Sequence, residues 1–322
     1  MIVDLHSHYF PLDTLRDQSA LPLTVSDEAD GSSAVQFAGH RLNIEPELFD
    51  LERQREALQR QALDRRTLMP PPYTILYELP PAEGIAWSRL LNDGTSAAAK
   101  SDPGSFVGFA TVPLQEPVAA VDELHRAIGD LGLEGVEILT NIDGAGLDDP
   151  ALESFWSAVE MLRIPLLIHP NNVLGLDRLG PYYLRNLLGN PTETAQAGAR
   201  LLFSGVMDRH PEIKIILSHG GGSLPHLIGR LQHGFEVRPE CRQFSADPIS
   251  KMNRFYYDTV VFNPLILRHI IDIVGLDQIV LGTDYPFDMG ETDPVGFVRS
   301  AGLSEAEQQR VLGAGERVLD RG

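Results

Sequence analysis

Cysteine and long apolar runs are the first things this sequence lacks. Among its 322 residues there is one cysteine, Cys241, which cannot form a disulfide within the chain. A chain with so little cysteine is typical of a reducing compartment. No apolar run reaches the roughly 18 residues that a membrane-spanning helix needs, and the N-terminus lacks the basic start and apolar stretch of a signal peptide. We therefore expect a cytoplasmic protein that does not enter a membrane.

Positive charge is also scarce. The sequence has 26 lysines and arginines against 45 aspartates and glutamates, so its formal net charge is −19. Nucleic acids and anionic membrane surfaces would repel such a protein, which argues against both as partners.

Short apolar segments alternate along the chain with longer helix-like segments, and the apolar cores LLIH and IIL show no polar alternation. Unbroken apolar runs are typical of parallel strands that are buried on both faces. Eight such units predict an α/β fold of the (β/α)8 TIM-barrel type, in one domain over residues 1–322. The expected strands are residues 2–8, 65–71, 106–113, 135–140, 164–170, 213–220, 254–261 and 278–286.

Two regions interrupt this alternation. The stretch LTVSDEADGSSAVQFAGHRLNI predicts a small β-insertion after the first strand, within about residues 12–48, made of two alternating runs joined by a Gly/Ser turn. A second region, around residues 175–195, follows the fifth strand and is rich in glycine, proline and tyrosine. We expect both regions to lie over the C-terminal mouth of the barrel.

Polar residues that can bind a metal follow several of the expected strands. Enzymes with this fold place their chemistry at that end of the barrel, so these side chains should converge. Three imidazoles and a carboxylate suit Zn²⁺, and Mn²⁺ is a plausible alternative. A histidine that does not bind the metal can act as a general acid or base. The residues are His6 and His8 in DLHSH, His169 in LLIHP, His219 in ILSHGGG and Asp284 in LGTDYPF.

The sequence resembles the amidohydrolase superfamily, most closely its branch of aminocarboxymuconate-semialdehyde decarboxylase-like and γ-resorcylate decarboxylase-like proteins. The resemblance runs nearly from end to end and combines several motifs. They are DLHSHYFP, FATVPLQ, GVEILTN, IPLLIHP, GNPTETAQA, LSHGGGSLPHLIGR, FYYDTVVFNP and LGTDYPF.

This resemblance implies a role for each candidate residue. Arg41, in GHRLNI, matches an arginine that binds a substrate carboxylate. Arg230, in LIGRLQ, matches an arginine that acts in the neighbouring subunit's site, which implies a homodimer. His219 matches the catalytic histidine. The implied metal ligands are His6, His8, His169 and Asp284.

The fourth strand candidate, GVEILT, contains no lysine. Family members with two metals carry a carboxylated lysine there, so the resemblance implies a single divalent ion, most readily Zn²⁺. Glu137 lies in this strand instead. It is either a further ligand or proton carrier, or a structural residue paired with an arginine, and we favour the structural role.

The implied activity is the metal-dependent, non-oxidative decarboxylation of a small aromatic or unsaturated carboxylic acid. Two arginines favour such an anionic substrate, because guanidinium binds carboxylate through paired hydrogen bonds. The alternative is a metal-dependent hydrolase acting on an ester, lactone or amide, or a hydratase, because each needs the same ligands. A non-catalytic binding protein is disfavoured, since every ligand position is present.

Two further features are each open to two interpretations. Tyr182, Tyr183 and Phe287 are candidates either for the pocket wall or for packing within a lid. The glycines of residues 220–222 lack the Lys-Ser/Thr of a phosphate-binding loop. We expect them to keep side chains away from the metal or the substrate.

Overall fold

The computed structural model describes residues 1–19, 21–244 and 247–322. Its largest sheet has eight strands, and all eight expected strand segments contribute to it. In chain order the strands of the molecule are β1 Val3–Asp4, β2 Thr24–Asp27, β3 Ser33–Phe37, β4 His40–Ile44, β5 Arg65–Leu68, β6 Phe106–Ala110, β7 Gly135–Leu139, β8 Asn141–Ile142, β9 Ala145–Gly146, β10 Pro165–His169, β11 Lys214–Leu217, β12 Phe255–Asp258 and β13 Ile279–Val280.

The large sheet forms the predicted barrel. Its strand order is β1-β5-β6-β7-β10-β11-β12-β13, and the paired neighbours run parallel. The Leu5 amide donates to the Leu281 carbonyl (2.9 Å), and Ser7 forms a parallel bridge with Tyr285. These contacts join the first strand segment to the last and bring His6 and Asp284 to one edge of the barrel.

Helices surround the sheet, and several of them begin at a proline, where the missing N–H costs no helical hydrogen bond. The helices are α1 Leu12–Asp17, α2 Pro46–Phe49, α3 Leu51–Arg60, α4 Pro81–Ser101, α5 Pro117–Gly129, α6 Glu153–Leu162, α7 Asn190–Phe203, α8 Val206–Arg209, α9 Leu224–Val237, α10 Pro264–Val274, α11 Pro294–Ser300, α12 Glu305–Leu312 and α13 Ala314–Leu319. Within the described ranges, no helix is both long and apolar enough to cross a membrane.

The core has an inner and an outer part. An inner cluster joins strand residues such as Val3, Phe109, Leu167 and Ile216. A larger outer cluster lies between the strands and the helices. Strands that are buried on both faces explain why their sequences show no polar alternation.

The insertion is a β-sheet, as expected, but it has three antiparallel strands, β2-β3-β4, where two runs were predicted. Its apolar side chains form a separate buried cluster with Phe10 and Trp87. Along β4, Leu42 and Ile44 are buried whereas Arg41 and Asn43 are exposed. This alternation, which follows from the pleat of a strand, decides where Arg41 lies.

The barrel strands are shorter than predicted at their C-terminal ends. The segments expected to continue through residues 220 and 286 end at Leu217 and Val280. His219 and Asp284 have φ angles of 55° and 59°, which no strand contains. The chain therefore turns out of the sheet at the residues that form the site.

Candidate metal and active site

Three histidines surround one oxygen of Asp284 at the mouth of the barrel. The distances from Asp284 Oδ1 to the Nε2 atoms of His8, His6 and His169 are 3.1, 3.3 and 3.8 Å. All four side chains are nearly inaccessible to solvent. The sequence-predicted ligand set is thus brought together from strand ends that are up to 278 positions apart.

The other ring nitrogen of each of these histidines faces an oxygen atom. His6 Nδ1 lies 2.6 Å from Asp258 Oδ2, and His169 Nδ1 lies 2.8 Å from the Pro170 carbonyl. His8 Nδ1 is 3.4 Å from the Pro70 carbonyl. An Nδ1–H that donates to oxygen leaves the Nε2 lone pair available for a metal. The arrangement therefore favours the tautomer that a metal ligand requires.

His219 differs from these three histidines. Its Nε2 lies 3.3 Å from the second oxygen of Asp284, Oδ2, and its buried Nδ1 has no hydrogen-bond partner among the described residues. The Nδ1 of His219 is therefore not held by an oxygen atom, unlike the Nδ1 atoms of the other three histidines, and its Nε2 faces a carboxylate oxygen that can only accept.

Distances alone also allow a second ligand set. Donor atoms of His6, His169, His219 and Asp284 all lie within 4.8 Å of one another. This set contains His219 in place of His8, and the two sets share the other three residues.

The electrostatics of the cluster suit a cation. Burial opposes ionisation of Asp284, but the charge of His6 and the nearby imidazoles of His169 and His219 outweigh it and hold the pKa of Asp284 well below its usual range. Burial lowers the pKa of His169 to about 3, so its imidazole is neutral. Burial also disfavours charge on His6, but Asp284 and Asp258 more than offset this and raise its pKa well above the usual value. The two carboxylates thus favour positive charge at this point.

These residues fit a divalent metal. The Nε2 atoms of His6 and His169 are buried without a hydrogen-bond partner in the described part of the chain. Buried polar atoms without a partner are costly, and a metal ion would satisfy both. Neutral imidazole nitrogens and a carboxylate are ligands that Zn²⁺ and Mn²⁺ accept.

Asp258, at the end of β12, is a functional residue that was missed at the sequence level. Its side chain is fully buried. Besides facing His6, it accepts hydrogen bonds from the amides of His219 (2.9 Å), Gly220 (2.8 Å) and Val260 (3.1 Å). It therefore positions both a candidate ligand and the candidate catalytic histidine. The available signal was its place in FYYDT, within the seventh expected strand of residues 254–261.

Among the described residues, no arginine pairs with Glu137. Both of its carboxylate oxygens are buried without a hydrogen-bond partner among the described residues, and Oε1 lies 4.0 Å from His8 Nδ1. Burial raises the pKa of this carboxyl well above its usual value. The favoured structural role, as the partner of an arginine, was wrong.

The three glycines after His219 serve backbone packing. Gly220, Gly221 and Gly222 have φ angles of 60°, 74° and 60°, a region that L-residues rarely adopt. A Cβ on Gly222 would lie 1.9 Å from the Pro191 carbonyl oxygen, and one on Gly221 would lie 2.7 Å from the Tyr257 ring. The atoms that a side chain would meet are thus those of the protein, rather than a metal or substrate as predicted.

A cavity of about 450 Å³ opens onto His169 and Asp284. This volume suits a small organic ligand. Tyr183 and Phe287 line it, as one of the two interpretations predicted, whereas Tyr182 is 87% exposed and does not. Its wall otherwise comes from residues 72–73 and 170–171, from Asp288, and from part of the segment after β10, namely Leu176, Leu179, Gly180, Arg185, Asn186 and Asn190. Arg185, which sequence reasoning missed, is part of this wall.

The two arginines predicted to bind substrate lie elsewhere. Arg41 is exposed, donates to Glu28 (2.7 Å) and lines a different surface cavity, formed by the insertion. Arg230 lies on α9 and is exposed. The predicted contact of Arg41 with substrate is not supported, because strand alternation directs its side chain to solvent.

Comparisons with known proteins match almost the whole chain. The amidohydrolase family model matches residues 3–318. The chain is 32% identical over 319 residues to 2-amino-3-carboxymuconate-6-semialdehyde decarboxylase of Dictyostelium discoideum, covering 97% of this chain and 89% of that protein.

Solved structures are similar over almost the whole chain. A 2,6-dihydroxybenzoate decarboxylase from Rhizobium has a TM-score of 0.81 and 26% identity, over 99% of this chain and 98% of that one. A dihydroxybenzoic acid decarboxylase from Polaromonas sp. JS666, solved with bound manganese and an inhibitor, has a TM-score of 0.81 and 22% identity, over 99% and 96% of the two chains. On the match to the family model and the identity to the Dictyostelium enzyme, this protein belongs to the amidohydrolase family.

Proposed function

We propose that this protein is a metal-dependent, non-oxidative decarboxylase of a small aromatic or unsaturated carboxylic acid. The observation that carries the proposal is the arrangement of the four histidines around the two carboxylate oxygens of Asp284. Three oriented imidazoles face one oxygen of Asp284, while His219 faces the other. The cavity that His169 and Asp284 line is large enough for such an acid. The similar proteins named above are decarboxylases of acids of this kind.

We assign the metal to His6, His8, His169 and Asp284. When bound, the ion would supply a Lewis acid that orients the carboxylate of the substrate. Zn²⁺ is our first choice from the donor set, and Mn²⁺ is the second. The absence of lysine from β7 supports a single ion rather than two.

The protein's own residues account for proton transfer. His219, as imidazolium, donates a proton to the substrate carbon that bears the carboxylate. The bond between this carbon and the carboxylate then breaks, and its electrons return to the conjugated system as CO2 leaves. The product carries hydrogen where the carboxylate was, and His219 regains a proton from solvent. No electrons enter or leave, so this reaction needs no redox cofactor.

Asp258 positions the proton donor. Its carboxylate holds the His219 amide at 2.9 Å and the His6 ring at 2.6 Å, so it links the donor to the metal ligands. Tyr73 and Phe287 line the same cavity and provide apolar surface for a planar substrate.

We further propose a cytoplasmic homodimer in which Arg230 reaches the site of the neighbouring subunit. Of the 14 residues of α9, Leu224 and Pro225 are buried, whereas Leu227 is 40% and Val237 is 53% exposed. Exposed apolar side chains on the helix that carries Arg230 suit a second copy of the chain. The single cysteine, Cys241, is compatible with a reducing compartment.

The test is CO2 release by the zinc-loaded and the manganese-loaded protein. The substrate panel contains hydroxybenzoates, carboxyvanillate-like acids and 2-amino-3-carboxymuconate-6-semialdehyde, with ester and lactone hydrolysis measured in parallel. We expect CO2 release with at least one acid. Ester or lactone cleavage without CO2 would instead assign the site to a hydrolase.

The variant His219→Asn separates catalysis from metal binding. We expect it to lose turnover by about 100-fold or more, as is usual for a general acid, and to keep its metal. His8→Asn is the matched variant and should lose metal. If His219→Asn loses metal while His8→Asn retains it, the ligand set is the second one and His219 is not the proton donor.

A further inference from the structure

One positively charged side chain, Arg185, lines the cavity that contains His169 and Asp284, and no other lysine or arginine of the described residues lines it. Two carboxylates line the same cavity, those of Asp284 and Asp288. Asp288 Oδ1 accepts a hydrogen bond from the Tyr183 hydroxyl at 3.1 Å. In a protein with a net charge of −19, an anionic ligand needs a local cation to enter such a cavity.

Arg185 is linked to the strand that carries His169. Its Nη2 donates to the carbonyl oxygen of Asn171 (3.4 Å) and to Asn171 Oδ1 (3.3 Å), two residues after His169. No carboxylate in the described ranges lies within 4.0 Å of the Arg185 guanidinium. Nor do its Nε and Nη1 groups have a hydrogen-bond partner there. The guanidinium thus keeps donors for a ligand.

The backbone before and at Arg185 has an unusual conformation. Tyr182 and Tyr183 have φ angles of 58° and 60°, and residues Arg185–Gly189 form one turn of π-helix. Both features are rare, and both occur preferentially at functional sites. They place Tyr183, Arg185 and Asn186 on the cavity wall.

We propose that Arg185 binds a second anionic group of the substrate, one that remains charged during the reaction. This inference rests on the proposed function, which places the departing carboxylate at the metal. That carboxylate loses its charge as CO2 forms, so an arginine bound to it would stabilise the substrate more than the transition state. An arginine bound to an anionic group that keeps its charge stabilises the substrate and the transition state equally, and it also orients the substrate. The substrate class is therefore aromatic or unsaturated acids with two anionic groups.

The experiment measures equilibrium binding by calorimetry, so its readout does not depend on turnover. The ligands are benzoate and the three isomeric benzenedicarboxylates, and the protein is used as purified with its metal content measured. Wild type should bind at least one dicarboxylate about 10- to 100-fold more tightly than benzoate, as expected for a charge-assisted bidentate contact. In Arg185→Gln this preference should fall to within about 2-fold.

Arg178→Gln is the matched control. Arg178 is exposed in the same segment, is absent from the cavity wall, and its replacement changes the net charge by the same amount. It should keep the preference for the dicarboxylate. Arg185→Lys, a point charge without the planar fork, should keep part of it.

Three results would overturn the proposal. They are equal binding of benzoate and every dicarboxylate by wild type, an unchanged preference in Arg185→Gln, and an equal loss in Arg178→Gln. If no CO2 is released but the preference for a dicarboxylate depends on Arg185, this inference about Arg185 stands and the proposed decarboxylase activity is refuted. If CO2 is released but no such preference is found, the decarboxylase activity stands and the inference about Arg185 is refuted.

Discussion

Replacing Asp258 with asparagine should weaken metal binding although Asp258 is not itself a proposed ligand. In the wild-type protein Oδ2 of Asp258 accepts from His6 Nδ1 at 2.6 Å and from the His219 amide at 2.9 Å. Asparagine fills the same volume but presents an NH2 group or a single oxygen at these positions. With the NH2 group toward His6, the imidazole must accept at Nδ1 and carry its proton on Nε2. That tautomer cannot ligate a metal.

The expected size follows from this change of tautomer. Loss of a hydrogen-bond partner of a metal-ligating histidine typically costs 10- to 100-fold in metal affinity, or about 1.4–2.7 kcal/mol. We expect the upper end of this range for Asp258→Asn. The substitution removes the acceptor that favours the proton on His6 Nδ1, and it also stabilises the tautomer with the proton on Nε2. The amides of His219 and Gly220 would also lose a charged acceptor, so turnover should fall further than metal occupancy alone predicts.

The assay is a competition titration of Zn²⁺ and Mn²⁺ against a chromophoric chelator, with circular dichroism to verify folding. Glu123→Gln is the matched control. Glu123 is a buried carboxylate on the outer helix α5 that accepts from Asn92 Nδ2 (2.7 Å) and Arg126 (2.8 Å). Its replacement should lower the free energy of unfolding without changing metal affinity. Wild-type metal affinity in a folded Asp258→Asn protein, or an equal loss in both variants, would refute the positioning role of Asp258.

Three other predictions test the fold, the pH dependence of stability and the placement of Arg41. Gly222→Ala should lower the free energy of unfolding by at least about 2 kcal/mol, since left-handed strain and overpacking each cost about 1–3 kcal/mol. Gly229→Ala, where an added Cβ meets nothing within 4 Å, should be neutral or slightly stabilising in the same denaturant titration. Hydrogen bonds from Arg209 lower the pKa of Glu153 below 4.5. The contribution of ionised Glu153 to the free energy of unfolding is therefore present above pH 4.5 and is lost as the pH falls through the lowered pKa. Glu153→Gln should therefore lower the melting temperature slightly at pH 7, in keeping with less than about 1 kcal/mol for an exposed pair, and the difference should vanish in acid. Arg41→Ala should leave KM unchanged, and a several-fold increase would show that the insertion contacts substrate after all.

The fold was predictable because its signals are local. Each barrel strand is a short apolar run between helical segments, and each candidate ligand directly follows such a run. A parallel barrel then brings all strand ends to one face, whatever the details of packing. His6, His8, His169, His219 and Asp284 could for this reason be named as one cluster from their positions alone.

Strand ends and loops were less predictable, since they depend on conformations that no pattern marks. The predicted strands included His219 and Asp284, but at both residues the chain turns out of the sheet with a positive φ angle. Arg41 lies in a motif that resembles a substrate-binding one, but the register of β4 turns its side chain to solvent.

The sequence by itself determined the barrel, the family and the candidate metal-binding residues as one cluster, because hydrophobic periodicity and residue type at strand ends act over a few positions. Only the tertiary structure decided which groups orient and accompany the donors. The contact of Asp258 with His6 spans 252 positions, and Arg185 reaches the cavity through a π-helical turn after two left-handed tyrosines. Such contacts depend on how distant segments pack against each other, which is a property of the whole folded chain.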